Sequence, residues 1–164
     1  MTVSEREAVS LRFYESDDKS KLSTYSLLEE QMKYTALPIA ALEKCETEPD
    51  RHPILILYGE QLAGFFVLHG WDGVKEFSEN KNAILLRAYS INTEFQGKGI
   101  GTESIRLLPS FVKQHFEKIN EIILAVNHGN MIAQNLYKKA GFVDQGNRVM
   151  GSQGEMFIYH IDLR

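Results

Sequence analysis

The residues best spaced for chemistry lie in the stretch Ile91-Asn92-Thr93-Glu94-Phe95-Gln96-Gly97-Lys98-Gly99-Ile100-Gly101-Thr102. Glycines on alternate positions let a backbone approach a ligand closely and present free N–H groups. Where such a turn opens a helix, the first N–H groups lack internal partners, and the helix dipole adds partial positive charge. Together these features bind phosphate or pyrophosphate. Three phosphate loops can be set against the stretch. A P-loop needs Gly-x-x-x-x-Gly-Lys-Ser/Thr, and the chain has no such string. A dinucleotide fingerprint needs Gly-x-Gly-x-x-Gly, whereas Gly97-x-Gly99-x-Gly101 is one residue too tight. Its ribose-binding acid would also close the next strand, but there Glu121 opens that strand and Val126 closes it. The third pattern, Gln/Arg-x-x-Gly-x-Gly/Ala, is matched by Gln96, Gly99 and Gly101.

A second constellation follows at residues 126–142. Asn130 and Tyr137 are seven residues apart, nearly two helical turns, so they share one stripe about 10 Å apart along the axis. By residue type Asn130 is also an N-cap, and Tyr137 also a core aromatic. The loop Gln96, Gly99, Gly101 and the spacing of Asn130, Ala133, Leu136-Tyr137 and Gly141-Phe142 together resemble the GNAT acetyltransferase superfamily, in the family's order, across residues 83–142.

That resemblance implies acetyl-CoA as cosubstrate; no metal is expected, because His52, His69, His115, His128 and His160 are scattered singly, without metal-ligand spacing. The pyrophosphate would rest on Gln96, Gly97, Lys98, Gly99, Ile100, Gly101 and Thr102, with Lys98 either meeting a phosphate or simply solvated. The strand 83–91 would splay from its neighbour, and backbone groups near Tyr89 and Ile91 would hold the pantetheine. A backbone N–H there would stabilise the developing oxyanion. A primary amine of a small molecule would attack directly in a ternary complex, without an acyl-enzyme. Tyr137 would protonate the departing thiolate. A non-catalytic CoA-binding module and a transferase of another acyl group are the alternatives.

On the acceptor side the resemblance points to the first two helices and the late hairpin: Glu29, Glu30 and Tyr34, with Trp71 and Tyr159. Several amine-acetylating relatives carry an acid on the strand before the loop. Here Leu86-Arg87-Ala88-Tyr89 offers none, so the general base is open, with Glu29, Glu30 or His69 reachable only through water. Residues 1–80 hold 15 acids and 8 bases, residues 81–164 hold 7 acids and 10 bases. The acidic half suits a cationic amine; Arg87 would suit an acceptor bearing a carboxylate.

The elements that must position these residues read as follows. Residues 9–14 alternate as a half-buried strand. Ser16-Asp17-Asp18 can cap a helix running to Met32, and Pro38 can open a second at residues 38–48. Residues 52–58 and 62–69 form a hairpin over Gly59-Glu60, and residues 70–82 read as a polar loop. Ala83–Ile91 reads as a buried strand. The following helix carries Ile105, Leu108, Phe111, Val112 and His115 on one face, and Pro109 should bend or split it. Residues 121–126 are a strand. Residues 130–140 are a helix whose apolar face is Ile132, Ala133, Leu136 and Ala140. Residues 142–149 and 155–161 close a hairpin. The order β-α-α-β-β-β-α-β-α-β-β is one mixed-sheet α/β domain over residues 1–164.

A net charge of −4 argues against nucleic-acid binding, and no apolar run reaches the ~20 residues of a membrane span. The polar residues 1–7 carry no apolar signal core, and the one cysteine, Cys45, cannot pair within the chain. Both fit a cytoplasmic protein. A homodimer is compatible with such folds.

Overall fold

A computed structural model describes residues 8–164; the polar start at residues 1–7 lies outside the described residues. One sheet holds β1 (Val9–Phe13), β2 (Arg51–Tyr58), β3 (Gln61–His69), β4 (Ala83–Ile91), β5 (Glu121–Asn127), β6 (Val143–Gly151) and β7 (Gly154–Asp162). Their spatial order is β1-β2-β3-β4-β5-β7-β6. Every neighbouring pair is antiparallel except β4 and β5, which run parallel. Parallel neighbours need a crossover, supplied here by α4 (Ile100–His115).

Both sheet faces are covered. On one, α4 and α5 (Met131–Lys139) pack over Ile84, Leu86, Ile122 and Leu124. On the other, a 3₁₀ segment (Ser16–Thr24) and α2 (Pro38–Thr47) pack over Leu55, Phe65 and Val67. The short α3 (Trp71–Val74) covers Leu85 and Ile123 on that same face.

The mixed α/β order expected from the sequence is present, with four local corrections. The first helix is not continuous to Met32: the 3₁₀ segment ends at Thr24, and only four residues, α1 (Glu29–Met32), are α-helical. Residues 16–26 are rich in Ser, Asp and Thr, whose side chains bond locally instead of supporting a helix. Asp18 accepts from Arg12 and from the Glu15 N–H, Ser23 donates to the Ser20 carbonyl, and Tyr25 leaves the segment to bond Ser90. Residues 70–82 are not all loop, because Trp71, Val74 and Phe77 recur at helical spacing and bury α3. Pro109 does not split α4: the packing of Ile105 and Leu108 before it and Phe111 and Val112 after it holds both halves on one sheet face. The inner face of α5 also differs. Ile132 is 86% exposed, while Gln134 and Tyr137 are buried. A polar residue is tolerated there because Gln134 Nε2 donates to the carbonyls of Asn127 and His128, at 2.9 and 2.8 Å.

Candidate active site

The site begins where two strands part. β4 and β5 pair only from Ala83–Glu121 to Leu86–Leu124, yet β4 continues to Ile91 and β5 to Asn127. The cause is a bulge on the other edge of β4. Val67 of β3 opposes Arg87 and Phe65 opposes Ser90, so Ala88 and Tyr89 together face Phe66. Ala88 takes φ 56°, a left-handed value rare for a residue with a side chain. Bulges bend the strand that carries them. Tyr25 fixes the bent half by donating to the Ser90 carbonyl at 2.9 Å. Beyond the bulge, the Asn92 N–H donates to the Ala63 carbonyl of β3. Backbone groups alternate along a strand, so those of Tyr89 and Ile91 turn to the edge that β5 has left.

The glycine loop lies at the end of this gap. Gly97 and Gly99 have φ of 78° and 79°, and a Cβ built on either would meet nothing within 4 Å. Left-handed backbone and open space therefore coincide. Gly99 caps α4 by accepting from Glu103 N–H, so the N–H groups of Ile100, Gly101 and Thr102 are the helix's free donors. Gly101 is different: a Cβ there would make ordinary contact with Tyr89 Oη at 3.5 Å and Leu136 Cδ1 at 3.9 Å. It sits at the helix–strand contact, where alanine also fits. Gln96 turns its amide inward. Its Nε2 donates to the Ile91 carbonyl at 2.9 Å and to Gln31 Oε1 at 3.0 Å, stapling the loop to β4 and α1. Tyr89 locks α4 to the strand, its hydroxyl 2.6 Å from Ser104 Oγ and 3.2 Å from the Gly101 carbonyl. Lys98 is exposed and stands outside the cleft lining.

A cleft of about 740 Å³ runs through the gap. Its wall includes Tyr89, Ile91, Gln96, Gly97, Gly99, Ile100, Gly101, Thr102, Asn130 and Tyr137, so the loop and the helix expected to act together border one space. Asn130 accepts from the Ala133 N–H at 3.3 Å and thus caps α5 while facing the cleft. Tyr137 is 7% exposed and packs edge-on against Tyr89 and Phe142. The residue borders the cleft. Burial, with Tyr89 adding to it, pushes its pKa above the ordinary phenol value, so it keeps its proton at neutral pH.

The acceptor residues divide. Glu30, Tyr34 and Arg87 line the cleft; Glu29, His69, Trp71 and Tyr159 do not. Glu30 is exposed and paired with Lys33 at 3.0 Å. Tyr159 is core, and His69 is enclosed under α3. The acidic half of the chain therefore sends one carboxylate to the cleft, because charge counts along a sequence ignore which way side chains point. Ser90, Asn127 and Gly129 also line it without having been singled out. Gly129 carried a signal, lying one residue before the Asn130 cap; a side chain there would collide with Tyr34. Cys45 sits on α2 outside the cleft, its thiol pKa raised by burial. Among the described residues no cluster of three His, Cys, Asp or Glu could hold a metal, and no helix is long and apolar enough to cross a membrane.

The open space before Gly97 and Gly99, three free N–H groups and a strand edge that no neighbouring strand pairs fit a diphosphate-bearing pantetheine thioester. Comparison with known proteins agrees. The profile of the acetyltransferase (GNAT) family matches residues 11–142. The chain is 38% identical over 153 residues to the uncharacterized N-acetyltransferase YbbJ of Bacillus subtilis (strain 168), covering 93% of this chain and 96% of that one. The fold is similar to that of the aminoglycoside acetyltransferase AAC(6')-Ib in complex with coenzyme A and kanamycin, with TM-score 0.75, 20% identity and 94% and 95% of the two chains covered. It is also similar to spermidine N-acetyltransferase from Vibrio cholerae in complex with CoA and spermine, with TM-score 0.67, 19% identity and 94% and 95% covered.

Proposed function

The chain belongs to the acetyltransferase (GNAT) family as an acetyl-CoA-dependent N-acetyltransferase, and we propose that it acetylates a primary amine of a small molecule by direct attack within a ternary complex. One observation carries this reading: a single cleft is lined from both faces of the sheet. Leu136 and Tyr137 border it from the α4–α5 side; Arg87 and Ala88 border it from the α2 side. Such a passage admits a cofactor from one face and an acceptor from the other, meeting where β4 and β5 part.

Acetyl-CoA supplies an acyl group already activated as a thioester. The N–H groups of Ile100, Gly101 and Thr102 and the open backbone of Gly97 and Gly99 would receive its pyrophosphate. Gln96 keeps that loop in place. The Tyr89 and Ile91 backbone edge would hold the pantetheine and offer an N–H to the developing oxyanion. Tyr137 Oη holds the proton that the leaving sulfur needs, in apolar surroundings where the phenol remains neutral. Asn130 would add a polar contact from the start of α5. No thiol borders the cleft, which supports transfer without an acyl-enzyme. The same reading takes the enzyme as cytoplasmic and as acting on small molecules, not on nucleic acid or a membrane.

Incubation with acetyl-CoA and no amine should leave the protein's mass unchanged, and initial rates against both substrates should give intersecting double-reciprocal lines. An acetylated protein that forms and then transfers its group, with parallel lines, would replace direct attack by a two-step route.

A further inference from the structure

We infer that Arg87 is a carboxylate-binding residue of the acceptor site, selecting zwitterionic α-amines such as amino acids and short peptides. The inference rests on the amine transfer proposed above and names the acceptor class for it.

The charge in the cleft leads there. Among the described residues its wall carries three charged side chains: Glu30, Lys33 and Arg87. Glu30 and Lys33 pair with each other. Arg87 is half-buried, and its side-chain partner is a histidine, with Nη1 3.2 Å from His69 Nδ1. A guanidinium only donates, so Nδ1 accepts and the ring proton sits on Nε2. The ring is neutral, because burial lowers its proton affinity and the charges of Arg51 and Arg87 lower it further. His69 thus fixes the guanidinium without cancelling its charge. Nearby Arg51 is handled differently, paired with the carboxylate of Glu48 at 3.1 Å. The mount is rigid: His69 is buried on β3, and any side chain at Gly73 of α3 would strike its ring. Burial, then Arg51, makes the site costly for the Arg87 cation, a cost that an incoming anion relieves.

Position agrees with charge. Arg87 is the first residue beyond the last β4–β5 pair, Leu86–Leu124. It pairs across the ladder with Val67, which belongs to the α2 face, so its side chain stands on the acceptor side of the gap. The amine chemistry agrees as well. Apart from Glu30 no described residue of the wall is a carboxylate, and none is a histidine, so little there can deprotonate an ammonium. A peptide α-amine, with pKa about 7.7–8.0, is appreciably neutral near pH 7.5, whereas a lysine-like amine at about 10.4 is almost wholly protonated; a free amino acid, whose own carboxylate raises its ammonium pKa, gains less from this argument than a peptide. With Lys33 paired to Glu30, the charge left in the wall is the Arg87 cation, which also opposes a polycation.

The test is titration calorimetry on the CoA-loaded protein with the amino acids and an Xaa-Ala dipeptide set, each compared with its C-terminal carboxamide. For the acceptor class, the acid should bind at least about tenfold tighter than its carboxamide, the gain expected of a charge-assisted bidentate pair. In turnover the difference should appear in KM and not in kcat. Arg87→Gln should abolish the preference and Arg87→Lys should keep part of it, with CoA affinity equal in all three proteins. Should Arg87→Gln fail to fold, by its thermal melt, Arg87→Lys and the wild-type pairs decide. Equal binding of acids and carboxamides by the wild type, or a preference that survives Arg87→Gln, overturns the assignment. Failure of the transferase reading looks different: the wild type would neither bind CoA nor acetylate any amine.

Discussion

Replacing Gly99 by aspartate should separate folding from cofactor binding. The residue has φ 79°, and a Cβ there meets nothing within 4 Å. Its cost to the fold is the left-handed backbone alone, about 1 kcal/mol. Its cost to binding is larger. A carboxylate about 5 Å from one phosphate charge is repelled by roughly 1 kcal/mol at a water-like dielectric and about 3 kcal/mol at the effective value near a protein surface. It also weakens the attraction of the α4 N-terminus for the anion, by about 0.5 kcal/mol. CoA affinity should therefore fall roughly 10- to 10³-fold. Gly101→Ala is the control: its Cβ would find ordinary contacts with Tyr89 and Leu136, and helix propensity favours alanine by up to about 1 kcal/mol. That variant should melt at or above the wild-type temperature and bind CoA normally. Calorimetry with CoA and thermal denaturation read both effects. Normal CoA affinity in a folded Gly99→Asp protein would refute the assignment of the loop.

Other consequences follow from the same geometry. Tyr137→Phe should lower kcat by about 10²-fold or more while leaving the melt and CoA affinity unchanged, since the ring and its packing against Tyr89 and Phe142 are kept; an unaltered kcat at saturating acetyl-CoA would remove Tyr137 as the acid. Burial raises the pKa of the phenols of Tyr25, Tyr89 and Tyr137 above the ordinary value. The unfolded chain ionises near pH 10 while the folded one resists, so stability should fall as pH rises beyond about 10; urea midpoints that stay level from pH 9 to 11 would contradict this. Asp18 is buried, bonds Arg12 at 2.8 and 2.8 Å, and has a carboxyl held well below its ordinary pKa by that hydrogen bond. Asp18→Ala should cost about 2–3 kcal/mol in denaturant titrations at pH 7, and less as pH falls below about 4, where the unfolded carboxylate takes up its proton and the wild type loses the advantage.

How much of this was legible in the sequence depended on how local each feature is. The bounds of β4, the glycine turn and the capped start of α5 rest on neighbouring residues, and all three stand where the sequence put them. The break after Thr24 was missed because Tyr25 bonds a residue 65 positions away. The inner face of α5 was misread at Ile132 because hydrophobicity was counted without the loop carbonyls that Gln134 satisfies. Arg87 was visible as a residue, but its tie to His69 depends on the β3–β4 register that sets His69 opposite Leu85. The splay of β4 from β5 was implied by resemblance alone; its physical cause, the bulge at Ala88, is a pairing feature that no single segment displays.

The most direct test of the central claim is a crystal structure with CoA bound. The account predicts the pyrophosphate against Gly97, Gly99 and the N–H groups of Ile100–Thr102, with the sulfur in the gap between β4 and β5 within hydrogen-bond reach of Tyr137 Oη. A cofactor seated elsewhere, or a thiol remote from that phenol, would contradict it.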